Sequence, residues 1–125
     1  MIGVDTSSLV AYLQGEEAKD VDLIAQALED ETLILPPFVI AELFSARGIS
    51  DGIKETISEL PRLPIKEGFW ERVGKGRLML LNKGFKARTL DTMIATYCLD
   101  HGIPLIARDS DYRHFKKHLK LKLMG

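Results

Sequence analysis

One stretch decides the fold of this sequence: Met1-Ile2-Gly3-Val4-Asp5-Thr6-Ser7-Ser8. A short apolar run that ends on polar residues is typical of a buried strand, and acidic and hydroxyl residues are those that cap helices. Apolar residues at helical spacing then predict a short helix that ends at Gly15. A strand followed directly by a helix is the repeating unit of an α/β protein.

The same alternation continues along all 125 residues. Further strands are predicted at 32–35, 63–65, 104–107 and 119–123, and helices at 17–30, 37–47, 51–60, 67–82, 89–100 and 110–117. Strands separated by helices imply a parallel sheet that is covered on both faces. We therefore predict a single domain over 1–125, a three-layer α/β/α sandwich around a mostly parallel sheet of about five short strands.

The charge of the chain is divided unevenly between its two halves. Residues 1–62 carry 4 Lys and Arg against 12 Asp and Glu, whereas residues 63–125 carry 13 against 6. A basic half favours a polyanionic partner. The alternative is two solvated faces of opposite sign, which also help copies of the chain to associate.

Composition also bears on the compartment. The single cysteine, Cys98, excludes an internal disulfide and lies on an apolar helical face, where we expect it to be buried. The N-terminus has no basic segment followed by an apolar one, and no apolar run has the length of a membrane span. We therefore expect a cytoplasmic protein that does not contact a membrane.

Four acidic residues each lie beside an apolar segment that is predicted to be core: Asp5, Glu42, Asp91 and Asp109. Asp5 and Asp109 follow predicted strands, Asp91 lies in the first turn of its helix, and Glu42 interrupts the apolar run 38–44. Ligands of open α/β sheets bind beyond the carboxyl ends of the strands, where these segments can meet. Converging carboxylates repel one another, which raises their pKa values or attracts a cation.

Each acid also has a structural alternative. Asp5 by itself suits a strand-end cap, and Asp91 suits the positive end of a helix dipole. Asp109 competes with Asp111, since either can cap the turn between them. Glu42 is the hardest of the four to explain by a local role.

The segments around these acids resemble the four acidic motifs of the PIN-domain ribonucleases. They are Val4-Asp5-Thr6-Ser7, Val39-Ile40-Ala41-Glu42-Leu43, Leu90-Asp91-Thr92-x-Ile94-Ala95 and Ile106-Ala107-Arg108-Asp109-x-Asp111-Tyr112. The resemblance covers essentially the whole chain, and the short length makes it most similar to the VapC-type toxins of toxin–antitoxin pairs. The chain departs from the family at Ala107, where Thr or Ser is frequent; this concerns a hydroxyl beside the site rather than a metal ligand.

The resemblance implies a PIN-like fold and an endoribonuclease that cleaves RNA phosphodiesters with metal-activated water, held as a homodimer and inhibited by a cognate antitoxin. Mg²⁺ and Mn²⁺ prefer oxygen ligands, so the acids suit either ion. Asp5 and Asp91 are the first candidates for ligands because both lie at element ends. Asp109 and Glu42 would complete the site directly or through water, and Asp111 is a further candidate.

Other residues near the motifs have predicted supporting roles. Thr6 or Ser7 would orient a ligand carboxylate or a bound water, with an N-cap as the alternative. Basic residues that precede the acidic motifs are predicted to contact RNA phosphates, with solvated surface charge as the alternative: Lys83, Lys86, Arg88 and Arg108. Phe85 and Tyr112 either stack on bases or belong to the core.

Two other functions are compatible with an acidic pocket on a parallel sheet. A receiver-like signalling domain would bind Mg²⁺ and accept a phosphate on one aspartate. Such a domain is expected to have two adjacent acids near the first strand and a lysine after one of the last strands. This sequence has neither feature. A binding module would keep the fold without the reaction and pair its acids with arginines of a partner protein. Mn²⁺ binding distinguishes the enzyme from this module.

Overall fold

The fold was analysed in a computed structural model that describes Met1–Met124. The described part of the chain contains strands and helices in the order β1 (Ile2–Val4), α1 (Thr6–Leu13), α2 (Lys19–Glu29), β2 (Leu33–Ile34), α3 (Pro37–Ser45), α4 (Asp51–Ser58), α5 (Phe69–Asn82), α6 (Thr89–Asp100), β3 (Leu105–Ile106) and α7 (Tyr112–Leu119). Within these residues, no helix combines the length and the apolar character that a membrane crossing requires.

The strands form one parallel sheet in the order β2-β1-β3. Gly3 of the central strand β1 is aligned with Ile34 on one side and with Leu105 on the other. Because all three strands run in the same direction, their carboxyl ends lie at one edge of the sheet. The parallel sheet confirms the predicted α/β fold. Asp5, the residue that follows β1, therefore lies at the middle of this edge.

The prediction of five strands was wrong, because the described residues contain three. The segment 63–65 is extended but does not join the sheet. Its backbone groups are satisfied by side chains of α6 instead: the Tyr97 hydroxyl donates to the Leu63 carbonyl oxygen and accepts from the Leu63 N–H, both at 2.6 Å. The His101 Nε2 atom lies 2.7 Å from the Pro64 carbonyl oxygen. Backbone polar groups need hydrogen-bond partners, and here the side chains of Tyr97 and His101 supply them for Leu63 and Pro64 in place of a neighbouring strand.

The predicted strand at 119–123 is also not formed. Helix α7 extends to Leu119, and Lys120 then adopts a left-handed conformation with φ of 64°. The remaining residues reach β3 only at Leu123, which forms an isolated parallel bridge with Leu105. The Leu105 N–H donates to Lys122 and the Met124 N–H donates to Leu105, at 2.8 and 2.9 Å. The contact with β3 is therefore limited to this single bridge.

Close packing between β1 and α6 positions the two halves of the acidic site. A Cβ atom on Gly3 would lie 2.6 Å from the Cys98 sulfur, a distance that no ordinary van der Waals contact allows. Glycine at this position therefore lets α6 approach the central strand. Cys98 is fully buried as predicted, and burial raises the pKa of its thiol to about 12.

Candidate active site

Asp5 lies at the carboxyl end of β1 and is 5% exposed. Its Oδ1 atom accepts a hydrogen bond from the Tyr112 hydroxyl at 2.9 Å, and its Oδ2 atom accepts one from the Ser7 hydroxyl at 3.0 Å. Asp5 occupies the N-cap position of α1, but its side chain makes no capping hydrogen bond. Burial raises the pKa of its carboxyl group. The carboxylate is thus held in place without a positive partner.

Asp91 is half-buried in the first turn of α6, and it contacts the same tyrosine hydroxyl as Asp5. The Tyr112 hydroxyl lies 3.3 Å from its Oδ1 atom. Burial raises the pKa of Asp91 to about 6, and the negative charges of Asp5 and Asp109 add to this effect. The sequence-based expectation that acids from separate segments would converge therefore holds for these three residues.

Asp109 and Asp111, which the sequence could not separate, have different surroundings. The Asp109 charge raises the pKa of both Asp5 and Asp91, so Asp109 lies near them. Its Oδ1 atom also accepts the Asp111 N–H at 2.9 Å and thereby holds the turn before α7. The Asp111 carboxylate instead lies 3.7 Å from the Lys86 ammonium group. Of the two acids, Asp109 is therefore the stronger candidate for the acidic site.

Glu42 is half-buried on α3 and is connected to the start of α1. The Thr6 hydroxyl donates a hydrogen bond to the Glu42 Oε1 atom. Thr6 and Ser7, the two predicted supporting residues, therefore bond to two different acids, Glu42 and Asp5. Adjacent hydroxyl groups at the N-terminus of α1 orient carboxylates from β1 and α3.

The donor atoms suit a hard divalent cation. Among residues 1–124, no three acidic, histidine or cysteine side chains converge tightly enough to enclose an ion by themselves. Mg²⁺, however, is usually held by one or two carboxylates and retains several of its waters. Asp5 and Asp91 supply this number, and their carboxylates contact one hydroxyl, that of Tyr112. The residues therefore fit Mg²⁺ or Mn²⁺.

Tyr112 contacts the candidate site in a way that the sequence did not predict. It was expected to stack on bases or to fill the core, and it is indeed fully buried. Its hydroxyl, however, lies between Asp5 and Asp91, and burial together with their charges raises the phenol pKa. It therefore stays protonated and can donate a hydrogen bond. A tyrosine three residues after an acid was the available signal, but it did not indicate the direction of the hydroxyl.

Arg108, predicted to contact RNA, already has partners within the chain. Its guanidinium group forms a two-pronged ion pair with Asp20 of α2, with Nε–Oδ2 and Nη2–Oδ1 distances of 2.8 and 3.1 Å. Its Nη1 atom also lies 3.4 Å from Glu16. The hydrogen bond from Arg108 lowers the pKa of Asp20. This geometry gives Arg108 a role in joining α2 to β3 and does not support a phosphate contact.

The other predicted RNA-binding cations are more accessible. Arg88 is exposed at the N-cap of α6. Its positive charge offsets part of the rise in the pKa of Asp91. Lys83 and Lys86 are exposed on the segment before it, and the Lys86 side chain is 59% exposed despite its contact with Asp111. Arg88 and Lys86 therefore lie beside acidic residues with their charges open to solvent, whereas the Lys83 charge is exposed near His118.

Phe85 is not free to stack on a base. Its ring stacks on the His114 ring at a centroid distance of 4.4 Å and packs against the His118 ring at 4.9 Å. Partial burial, together with the charges of Lys83 and Lys117, lowers the pKa of His118. His114 and His118 of α7 thus form an aromatic cluster with Phe85.

Comparisons with known proteins agree with this architecture. The sequence profile of the PIN domain matches residues 2–118. VapBC-1 from nontypeable Haemophilus influenzae is 23% identical, with a TM-score of 0.73 over 100% of this chain and 98% of that chain. FitAcB from Neisseria gonorrhoeae is 18% identical, with a TM-score of 0.73 over 100% and 97%.

VapBC2 from Rickettsia felis, solved with a DNA fragment from its promoter, is 17% identical, with a TM-score of 0.73 over 99% and 98% of the two chains. At these identities the structures establish a shared fold. A search of curated proteins finds no match.

Proposed function

The chain belongs to the PIN-domain family, and we propose that it is a divalent-metal-dependent endoribonuclease, the toxin of a VapBC-type toxin–antitoxin pair. The observation that carries the proposal is the convergence of Asp5 and Asp91 on one buried hydroxyl at the carboxyl edge of the sheet. The negative charge of Asp109 acts on both. The similar structures of VapBC complexes support the toxin assignment.

In the proposed reaction, Asp5 and Asp91 would hold Mg²⁺ or Mn²⁺, and Asp109 and Glu42 would complete the site directly or through water. A bound ion of this kind supplies an activated water and offsets charge on the leaving oxygen of a phosphodiester. Ser7 keeps the Asp5 carboxylate oriented, and Thr6 does the same for Glu42.

We assign the contacts with the RNA backbone to Arg88, Lys83 and Lys86. All three are exposed, Arg88 and Lys86 lie beside acidic residues, and Lys and Arg bind phosphates at the cost of strong salt dependence. Arg108 is left out of this set because phosphate binding would break its pairing with Asp20. A cognate antitoxin, a homodimer and a cytoplasmic location belong to the same proposal.

The test is cleavage of RNA by the purified protein. Total RNA is incubated with the protein in Mn²⁺ or in a chelator, and new ends are mapped. We expect reproducible ends that require Mn²⁺ and that disappear with Asp5→Asn or Asp91→Asn. Asp111→Asn is the matched control, because it removes a neighbouring acid that faces Lys86, and it should leave cleavage largely intact.

Undiminished cleavage by both Asp5→Asn and Asp91→Asn would contradict the site. If no cleavage is found, a calorimetric titration with Mn²⁺ separates the remaining functions. Binding without cleavage would leave a metal site with another substrate, whereas the absence of binding would favour the module that pairs its acids with a partner protein.

A further inference from the structure

We infer that Tyr112 is a positioning residue of the acidic site: its buried hydroxyl holds Asp5 and Asp91 at the separation and orientation that a shared divalent ion needs. The inference deepens the proposed function and rests on it for the identity of the ion. Tyr112 itself is not assigned as a ligand or as a group that reacts.

The geometry of the hydroxyl is the first support. Its oxygen lies 2.9 Å from Oδ1 of Asp5 and 3.3 Å from Oδ1 of Asp91. Asp5 ends the central strand and Asp91 starts α6, so the two acids belong to different elements. Because both atoms touch one oxygen, they lie no further apart than the sum of these two distances. A single side chain therefore spans the gap between the first two candidate ligands.

The hydrogen-bonding capacity of the groups makes this contact compatible with metal binding. A phenol has one proton to donate, and each carboxylate oxygen has two lone pairs. The Tyr112 proton goes to Asp5 Oδ1 at the shorter distance of 2.9 Å, and the 3.3 Å contact with Asp91 Oδ1 shares the same proton. Ser7 occupies one acceptor site on Asp5 Oδ2. Hydrogen bonds from Tyr112, Ser7 and the Thr6 backbone leave at least one lone pair of the Asp5 carboxylate free and fix its plane. The hydroxyl therefore orients the acid without blocking it.

The surroundings of Tyr112 make its hydroxyl a rigid reference point. The side chain is fully buried, and its ring packs against Phe115 at a centroid distance of 5.5 Å. Its backbone N–H donates to the Asp109 carbonyl oxygen at 3.2 Å, which ties Tyr112 to the turn that carries the third acid. Ser7, in contrast, is exposed, so water can replace its hydroxyl.

A purely structural role for Tyr112 predicts a different result from a positioning role. Phenylalanine fills the same space in the core, so Tyr112→Phe removes the hydroxyl and keeps the packing. Tyr97→Phe is the matched control, since it also removes a buried hydroxyl with two hydrogen bonds, but both of these go to the Leu63 backbone. Only the first variant changes the surroundings of the acids.

The first measurement is the affinity of each variant for Mn²⁺ by titration calorimetry. Loss of a group that orients a metal ligand weakens metal binding by roughly 10- to 100-fold, and we expect a loss in this range for Tyr112→Phe. Tyr97→Phe should bind Mn²⁺ like the wild type. Equal affinities of Tyr112→Phe and wild type would overturn the inference and leave the proposed function standing. No Mn²⁺ binding by the wild type would overturn both.

The second measurement needs neither metal nor RNA. A buried phenol proton that is bonded to a carboxylate exchanges slowly with water and gives a separate downfield resonance in the proton NMR spectrum. We expect such a resonance in the metal-free protein that is absent from Tyr112→Phe, shifted in Asp5→Asn and unchanged in Tyr97→Phe. A spectrum that Tyr112→Phe leaves unaltered would overturn the inference.

Discussion

Asp20 and Asp91 are the same residue type in opposite electrostatic situations. Asp20 forms a two-pronged ion pair with Arg108, and this hydrogen bonding lowers its pKa. Asp91 is buried beside other acids, and its pKa rises to about 6. A compensated acid joins two elements of the fold, whereas an uncompensated acid indicates a counter-charge from outside the chain. We expect this difference to separate structural carboxylates from those of the candidate site.

The sharpest test of this contrast is RNA cleavage by Asp91→Asn and Asp20→Asn. We expect Asp91→Asn to lower the rate by more than about 100-fold, since losing a ligand costs more than losing a group that orients one. Asp20→Asn should stay within a few-fold of wild type. Both rates would be measured on one RNA at saturating Mn²⁺. Equal losses in the two variants would remove the distinction.

Packing between β1 and α6 should matter next, because it sets the separation of Asp5 from Asp91. Gly3→Ala places a Cβ atom against the Cys98 sulfur, and overpacking of this kind costs about 1–3 kcal/mol of unfolding free energy. Cys98→Ala in the same chain makes room for the added methyl and should recover part of the loss. Denaturant unfolding of the two single variants and the double variant measures the coupling. Additive effects would mean that the two residues do not press on each other.

A smaller effect is expected from the ion pair itself. Asp20→Asn removes the charge that Arg108 meets, and a pair near the surface contributes up to about 1 kcal/mol. We expect a lower midpoint of thermal unfolding at low salt and a smaller difference from wild type at high salt. Glu16→Gln is the milder control, because its contact with Arg108 is longer, at 3.4 Å. A salt-independent loss would point away from electrostatics.

Asp91 and Asp20 should affect the stability of the metal-free protein in opposite directions as the pH changes. The folded-state pKa of Asp91, about 6, lies above its usual value of 3.8, so its ionised form opposes folding at neutral pH. Asp91→Asn should therefore stabilise the metal-free protein at neutral pH, by an amount that shrinks as the pH falls through 6 towards 3.8.

The pKa of Asp20 is lowered, so its contribution to stability is present above 3.8 and is lost as the pH falls through its folded-state value. Thermal unfolding of the wild type and both variants in chelator, over this pH range, checks the two signs. An Asp91→Asn variant less stable than wild type at neutral pH would contradict the assignment of Asp91 as uncompensated.

Much of the fold could be predicted because it follows from local patterns. The strand before Asp5 and the helix that carries Asp91 are each encoded by neighbouring residues, and their order implies a parallel sheet. The number of strands could not be obtained in this way. Segment 63–65 has the composition of a strand, but its backbone bonds to Tyr97 and His101 from a distant helix.

The candidate site divides along the same line. The sequence by itself determined the α/β class and the four acids that adjoin or interrupt apolar segments, because periodicity and position within an element are short-range properties. Only the tertiary structure decided that the Asp109 charge acts on Asp5 and Asp91 while Asp111 contacts Lys86, that Arg108 is paired with Asp20, and that the Tyr112 hydroxyl contacts Asp5 and Asp91. Those contacts depend on direction: Tyr112 and Asp5 are 107 residues apart, and Arg108 and Asp20 are 88 apart. The packing of complete elements fixes where such side chains point, and no local pattern contains that information.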